Sequence, residues 1–359
     1  MDHVERVCCA FAHRESDKVP KGEFVIDRAL ISLLGGEGTG DLFEDTLRVL
    51  DRLKGDLTGV RASFKRSSHE EIMGKSKNGR NILKDCWGAI YLESEYGTLP
   101  AGILECPIKS PGEVYGYEMP PLDRFEAVVD EVKKWAESTD YFVFANVWGP
   151  LSGALTELMG WENYMIWSKT NLAELKALTK EYTEYQAELA KRYVDAGAHG
   201  ILIAGDLAGN DGPFLSLNLM RELVFPFLKA QVAIIKDYRD VPIVYHSDGN
   251  INTLMEDIVN LDINGINPLE PHAGMDLGLI KRRYGNKLCL LGNVDTNYLL
   301  PHGRPQEVEK EVKRVIDIAY PGGGFILQSA NMLTPDVPVA NIFAMFDTAE
   351  SYRMRPNKR

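Results

Sequence analysis

The chain has 359 residues, a length that suits one large α/β barrel or two ordinary domains. Hydrophobic residues make up 45% and charged residues 26%, the balance of a globular protein with a sizeable core, and the formal net charge is -12. That charge excludes a nucleic-acid backbone or an anionic membrane surface as the main partner, since both need clustered Lys and Arg, and leaves a small neutral or cationic substrate open.

The opening MDHVERVCCAFAHRESDKVP is interrupted by Asp2, Glu5 and Arg6 and has no apolar run of signal-peptide type. No window reaches the apolar length needed to span a bilayer, so the expected compartment is the cytoplasm. The five cysteines, Cys8, Cys9, Cys86, Cys106 and Cys289, show no CxxC or Cys/His zinc spacing. They are expected to be reduced and mostly buried.

In chain order, GEFVID at 22–27 and LTGVRAS at 57–63 are weak strand candidates, with a flexible glycine loop, GGEGTG, between them at 35–40. Segment 74–119, rich in Gly, Pro and short extended runs such as WGAIYLESEY, predicts a small hairpin excursion. Then strands and helices alternate. YFVFANV (141–147), HGILIAG (199–205), VPIVYH (241–246), INGINP (263–268), LCLLGNV (288–294) and GGFILQS (323–329) predict buried parallel strands. Helices are predicted at 169–195, 217–237, 252–260, 276–283 and 305–319. Six strong strands and two weak ones make about eight, the number at which a (β/α)8 TIM-type barrel closes. An open doubly wound sheet would bring a phosphate loop, and neither GxGxxG nor GxxxxGK[ST] occurs. No linker or internal repeat marks a boundary, so residues 1–359 are expected to form one domain.

In such a barrel the site lies where the strands end. The polar residues there are Glu23 and Asp27; Asn146 and Trp148; Asp206; His246 and Asp248; Glu270; Asn293 and Asp295; Ser329 and Asn331. Together they predict a polar mouth on an apolar barrel. Each has a bland alternative: Asp248-Gly249-Asn250 is also a turn signature, Asn293 and Asp295 fit helix caps, and Trp148, Trp161 and Trp167 fit core packing as well as an aromatic-substrate pocket. Imidazole is both a common metal ligand and an acid–base group, so His246 leads the set. A carboxylate in NPLEPH must be paired, bound or exposed, and His272 in the same loop is expected at the surface.

His-x-Asp-Gly-Asn at 246–250, INPLEP-x-x-GMD, YGNKLCLLGNVD and the closing GGGFILQSANMLTPDVPVANI together resemble the uroporphyrinogen decarboxylase superfamily, most of all its branch of corrinoid-dependent methyltransferases. The resemblance runs from RVCCAFAHRESDKVP to Asn341 and implies a (β/α) barrel. The decarboxylases of this family grip their porphyrin with an Arg-Gln-Ala-Gly-Arg stretch. Here the matching region is PKGEFVIDRAL, with Arg28 alone beside Glu23 and Asp27, a poor match to a polyanion. The methyltransferases hold zinc through His-x-Cys, a further Cys and a Glu. By resemblance, His246 falls on the histidine, Asp248 on the first cysteine, Glu270 on the glutamate and Asn331 on the second cysteine.

With both thiolates missing, the expected metal set is His246, Asp248, Glu270 and Asn331, a harder site that can still hold zinc. A metal-free pair in which Asp248 orients His246 is the other option. The leading expectation is an O-demethylase-type methyltransferase. It would move a methyl group from a small methoxylated compound, aromatic ones included, or a methylated one to a corrinoid carried on a partner protein, since no Asp-x-His-x-x-Gly cobalamin motif is present here. His246, Asp248 and Asp206 are the expected catalytic residues, and Glu23, Asn146, Trp148 and Asn293 the expected substrate contacts. A decarboxylase of a smaller acid and a non-catalytic ligand-binding barrel are the alternatives.

Overall fold

The computed structural model describes residues 1–35, 39–61, 71–93, 102–151, 155 and 158–352. The middle of GGEGTG, the last two residues of LTGVRAS and the end of WGAIYLESEY lie outside them. Thirteen strands are assigned among the described residues: β1 (Leu57–Arg61), β2 (Glu71–Lys75), β3 (Asn81–Lys84), β4 (Ile90–Leu92), β5 (Gly102–Glu105), β6 (Phe142–Trp148), β7 (Gly200–Ala204), β8 (Ala208–Gly209), β9 (Gly212–Pro213), β10 (Ile243–His246), β11 (Gly265–Asn267), β12 (Cys289–Val294) and β13 (Phe325–Ser329).

Seven of these form one curled parallel sheet in the order β1-β6-β7-β10-β11-β12-β13. All six strong sequence candidates are in it, as near-continuous apolar runs buried on both faces must be. GEFVID does not form a continuous strand. Instead, isolated parallel bridges join Lys21 to Leu327 on β13 and Gly22 to Leu57 on β1, so this segment links the two edges of the sheet. Gly22 and Gly59 explain the thinness of the contact: a Cβ on Gly22 would lie 2.8 Å from Leu57 O, and one on Gly59 2.4 Å from Phe24 O. The arrangement is consistent with a TIM-type barrel. Between β1 and β6, strands β2 to β5 pair as a separate antiparallel sheet.

The helices follow the sequence pattern with two breaks. The predicted 169–195 helix starts at Leu172, because Asn171 leaves helical geometry at φ -138° and ends the preceding helix Trp161–Thr170. The predicted 217–237 helix divides at Val224, where Pro226 cannot continue a hydrogen-bonded turn but can open a new one, giving Leu217–Leu223 and Phe225–Tyr238. Helix Pro305–Ala319 buries Val308, Val312, Val315, Ile316 and Ala319, one stripe at helical spacing.

The barrel interior is a distinct apolar cluster of Phe142, Phe144, Leu202, Val244, Cys289, Leu291 and Ile326, with Val7 and Ala10 of helix His3–Phe11 packed against it. That helix is tied down by a buried charge cluster. Arg6 bonds Asp56, which is fully buried and also takes the His3 ring at 2.9 Å and the Lys21 backbone N–H at 3.0 Å. Lys18 and Lys21 both reach Glu350, and although burial pulls the other way, they hold its carboxyl at about 2. The cysteines are all free, but only Cys9 and Cys289 are buried; Cys8 is exposed and Cys86 and Cys106 are half-buried, so the expectation of mostly buried thiols fails.

Candidate active site

Side chains alternate along a strand, and counting by two from the interior cluster leads to the site. Phe144 is followed on the inward face by Asn146, Val244 by His246 and Ile326 by Gln328; on β11 the equivalent position is Asn267. Apolar packing therefore gives way to a polar layer at the C-terminal strand ends. A cavity of about 320 Å³ opens there.

His246, Asp206 and Asp248 meet at this cavity, with one donor atom from each lying within 4.8 Å of the others. Asn267 Oδ1 sits 2.5 Å from His246 Nδ1, which therefore carries a hydrogen, and Nε2 faces Asp248 Oδ1 at 3.7 Å, beyond hydrogen-bond distance. Asp206 Oδ1 accepts from the Asp248 backbone N–H at 2.9 Å. Asn331 Nδ2 donates to Asp248 Oδ2 at 2.6 Å, whereas Asp248 Oδ1 is buried with no hydrogen-bond partner. Burial pushes the Asp248 carboxyl up to about 6; His246 pulls it down, and Asp206 and Glu270 add to the rise. An unpartnered carboxylate oxygen beside an oriented imidazole is the donor set of a nitrogen-plus-oxygen metal site, so these residues fit a divalent ion such as zinc.

The turn that presents Asp248 needs its glycine. Gly249 has φ +79°, and a Cβ there would lie 2.4 Å from Ala208 O. Its N–H donates to Glu270 Oε2 at 3.0 Å, and Asn297 Nδ2 occupies Oε1 at 2.8 Å. Both Glu270 oxygens are thus taken by protein donors, and Glu270 does not line the cavity. Of the expected metal set, the structure brings His246 and Asp248 together with Asp206; Asn331 acts as a donor to Asp248 and Glu270 braces the turn.

Of the expected substrate contacts, Glu23, Asn146 and Trp148 line the cavity. Asn293 does not: it is buried, donating to Leu269 O at 3.0 Å. Asp27 and Asp295 cap helical turns, receiving the N–H groups of Ala29 and of Asn297, Tyr298 and Leu299. Trp167 is buried, Trp161 is 43% exposed, and neither lines the cavity; His272 is exposed, as expected. Asn267, Gln328, Phe24, Phe144 and Met332 line the cavity without having been singled out. The period-two count above would have found Asn267 and Gln328, whereas collecting residues after the strands passes over them.

Glu23 is almost fully buried, and burial raises its carboxyl to about 8 against the bonds it receives from Ser329. The Ser329 hydroxyl donates to Glu23 Oε2 at 2.8 Å and also contacts the Asn331 carbonyl. The Ser329 N–H donates to the other Glu23 oxygen at 2.9 Å.

The sequence model of the family described as "Uroporphyrinogen decarboxylase (URO-D)" matches residues 92–352. The chain belongs to the uroporphyrinogen decarboxylase family. Curated relatives include a uroporphyrinogen decarboxylase of Chlorobium phaeovibrioides, 25% identical over 67% of this chain and 69% of the relative. Another is the methylcobamide:CoM methyltransferase MtaA of Methanosarcina barkeri, 27% identical over 64% of this chain and 65% of the relative. A uroporphyrinogen decarboxylase of Sodalis glossinidius is 28% identical over only 44% of each chain, so the share of a relative's length that this chain spans ranges from about two thirds to less than half. Among solved structures, a methyltransferase from Methanosarcina mazei shares the fold at a TM-score of 0.78 and 18% identity, covering 98% of each chain. Family members are enzymes, and the named relatives include both decarboxylases and methyltransferases. No described helix is long and apolar enough to cross a membrane.

Proposed function

We propose that this family member, read as one domain over residues 1–359, is a cytoplasmic substrate-side methyltransferase of O-demethylase type. It transfers the methyl group of a small methoxylated or methylated compound to a reduced corrinoid carried on a partner protein. The observation that supports this reading is the convergence of Asp206, His246 and Asp248 at the mouth of a largely apolar cavity. Among the described lining residues there is no Lys or Arg to pair with a polycarboxylate porphyrin, and Asp206 and Asp248 at the mouth would oppose it.

The chemical problem is the leaving group. The reduced corrinoid supplies the electron pair that takes the methyl carbon, and the pair of the broken carbon–oxygen bond stays on oxygen. An imidazolium at His246 has Nε2–H free for that oxygen, because Nδ1–H is committed to Asn267; proton transfer from Nε2 leaves a neutral alcohol or phenol. Asp248 and Asp206 stabilise the imidazolium before transfer. Zinc, if held by Asp206, His246 and Asp248, would occupy Nε2 and would supply Lewis-acid stabilisation of the same oxygen in place of the His246 proton. Phe24, Phe144 and Trp148 give the donor an apolar wall.

Decarboxylation of a smaller acid is the second reading, favoured by the decarboxylase relatives and opposed by the carboxyl-lined mouth. Incubation with a reduced corrinoid protein and a panel of methyl ethers and methylamines separates the two. Methylation of the corrinoid is the expected result, and carbon dioxide release without corrinoid would establish the second reading.

A further inference from the structure

We propose that Gln328 is the specificity-determining residue of this cavity: its Nε2 donates to an oxygen of a neutral ligand and so selects oxygen-linked methyl donors over methylammonium compounds. The proposal rests on the methyl-transfer reading and names its substrate class.

The orientation of three side chains follows from one backbone carbonyl. Leu291 O can only accept, so the Asn267 atom 3.4 Å from it is Nδ2. The same Nδ2 lies 2.9 Å from Gln328, which therefore turns its Oε1 toward Asn267. Asn267 Oδ1 is left to face His246 Nδ1, in agreement with the 2.5 Å contact there. The remaining Gln328 atom is Nε2, with two N–H groups.

Gln328 is 1% exposed, its Nε2 is buried and has no hydrogen-bond partner, and the residue lines the cavity on the inward face of β13, two positions beyond Ile326. Buried donors are nearly always paired, and an unpaired one costs stability that a ligand acceptor would recover. The natural partner is an ether or carbonyl oxygen. A methylammonium group has no lone pair to offer Nε2. Phe24, Phe144 and Met332 line the same cavity and give the rest of such a ligand apolar surface. Because Asn267 holds both Gln328 and His246, the group that would read the oxygen and the group that would protonate it are fixed by one amide.

Isothermal titration of the full chain with three probes tests the proposal: methoxybenzene, its isostere ethylbenzene, which lacks the acceptor, and phenyltrimethylammonium. The expected result is that methoxybenzene binds at least about tenfold more tightly than ethylbenzene and more tightly than the cation, as a buried donor left unpaired would dictate. In Gln328→Leu the ratio should fall to about one, with Gln328→Glu as a second variant that keeps an acceptor for Asn267. Equal affinity for ether and isostere in the native chain overturns the proposal. So does failure of methoxybenzene to bind, tighter binding of the cation, or discrimination that survives in Gln328→Leu. If the variants do not fold, the ratio measured on the native chain still decides. Ether-selective binding with no methyl ever transferred would defeat the methyl-transfer reading and leave the role of Gln328 standing. Methyl transfer from ammonium donors alone would do the reverse.

Discussion

His246 Nδ1 and Asn267 Oδ1 lie 2.5 Å apart across neighbouring strands, and this contact decides which face of the imidazole is free for chemistry. With Nδ1–H engaged, Nε2 is the atom turned toward Asp248 and Asp206. Removing the acceptor frees the ring to rotate or change tautomer. Asn267→Leu is therefore expected to lower turnover on the order of 10–100-fold, as loss of a ligand-orienting partner does, and to raise the donor's KM as well, because Asn267 also holds Gln328. Asn267→Asp, which still accepts from Nδ1, should recover part of the loss; steady-state kinetics on both variants would measure it, and unchanged turnover in Asn267→Leu would count against an oriented His246.

Glu23 gives a pH signature of stability. Its folded carboxyl sits at about 8 against an ordinary value of 4.5, so between those two values the unfolded chain has released the proton and the native chain has kept it. Stability therefore falls as pH rises through this window, by up to about 1.4 kcal/mol per pH unit from this group, and levels off above pH 8. Glu23→Gln reproduces the neutral acid: its amide donates to Ser329 Oγ and its oxygen accepts from Ser329 N–H. Urea melts should show the variant near the native chain at pH 5 and more stable by a few kcal/mol at pH 8.5. A variant less stable at both values would show that Glu23 is ionised in the native chain.

Asp248 Oδ1 is buried without a hydrogen-bond partner, and a cation would be its natural one. Protein purified without chelator should carry close to one divalent ion per chain by mass spectrometry, and His246→Ala or Asp248→Ala should lose it. Glu270→Gln should keep it, since both Glu270 oxygens are engaged by Gly249 and Asn297. Affinity should weaken below about pH 6, where Asp248 takes up its proton. Absence of metal from an active preparation would assign leaving-group activation to the His246 proton alone.

The strong strands were legible because burial on both faces leaves an unmistakable apolar run, and His246, Asp248 and Asp206 were legible because polar residues end those runs abruptly. The first edge of the barrel was not. Glycines at 22 and 59 bring two backbones together with single bridges, and no side-chain periodicity records such a contact. The support shell was hidden for a different reason. Glu270 and Asp206 both follow strand ends, but only hydrogen bonds to Gly249 and to the Asp248 backbone show that Glu270 braces the turn while Asp206 joins the cluster. Asn293 is polar and at a strand end too, yet its Nδ2 donates to Leu269 O and the residue does not line the cavity.

The most direct test of the central claim is a methyl-transfer assay with His246→Ala as the internal control. The native chain, a reduced corrinoid protein and a methyl ether are mixed, and the corrinoid absorption is followed together with carbon dioxide. Methyl transfer through His246 requires conversion of the corrinoid to its methylated form by the native chain, loss of at least about 100-fold in His246→Ala, and no carbon dioxide. A corrinoid left unmethylated across the donor panel, or a rate that His246→Ala leaves unchanged, would contradict it.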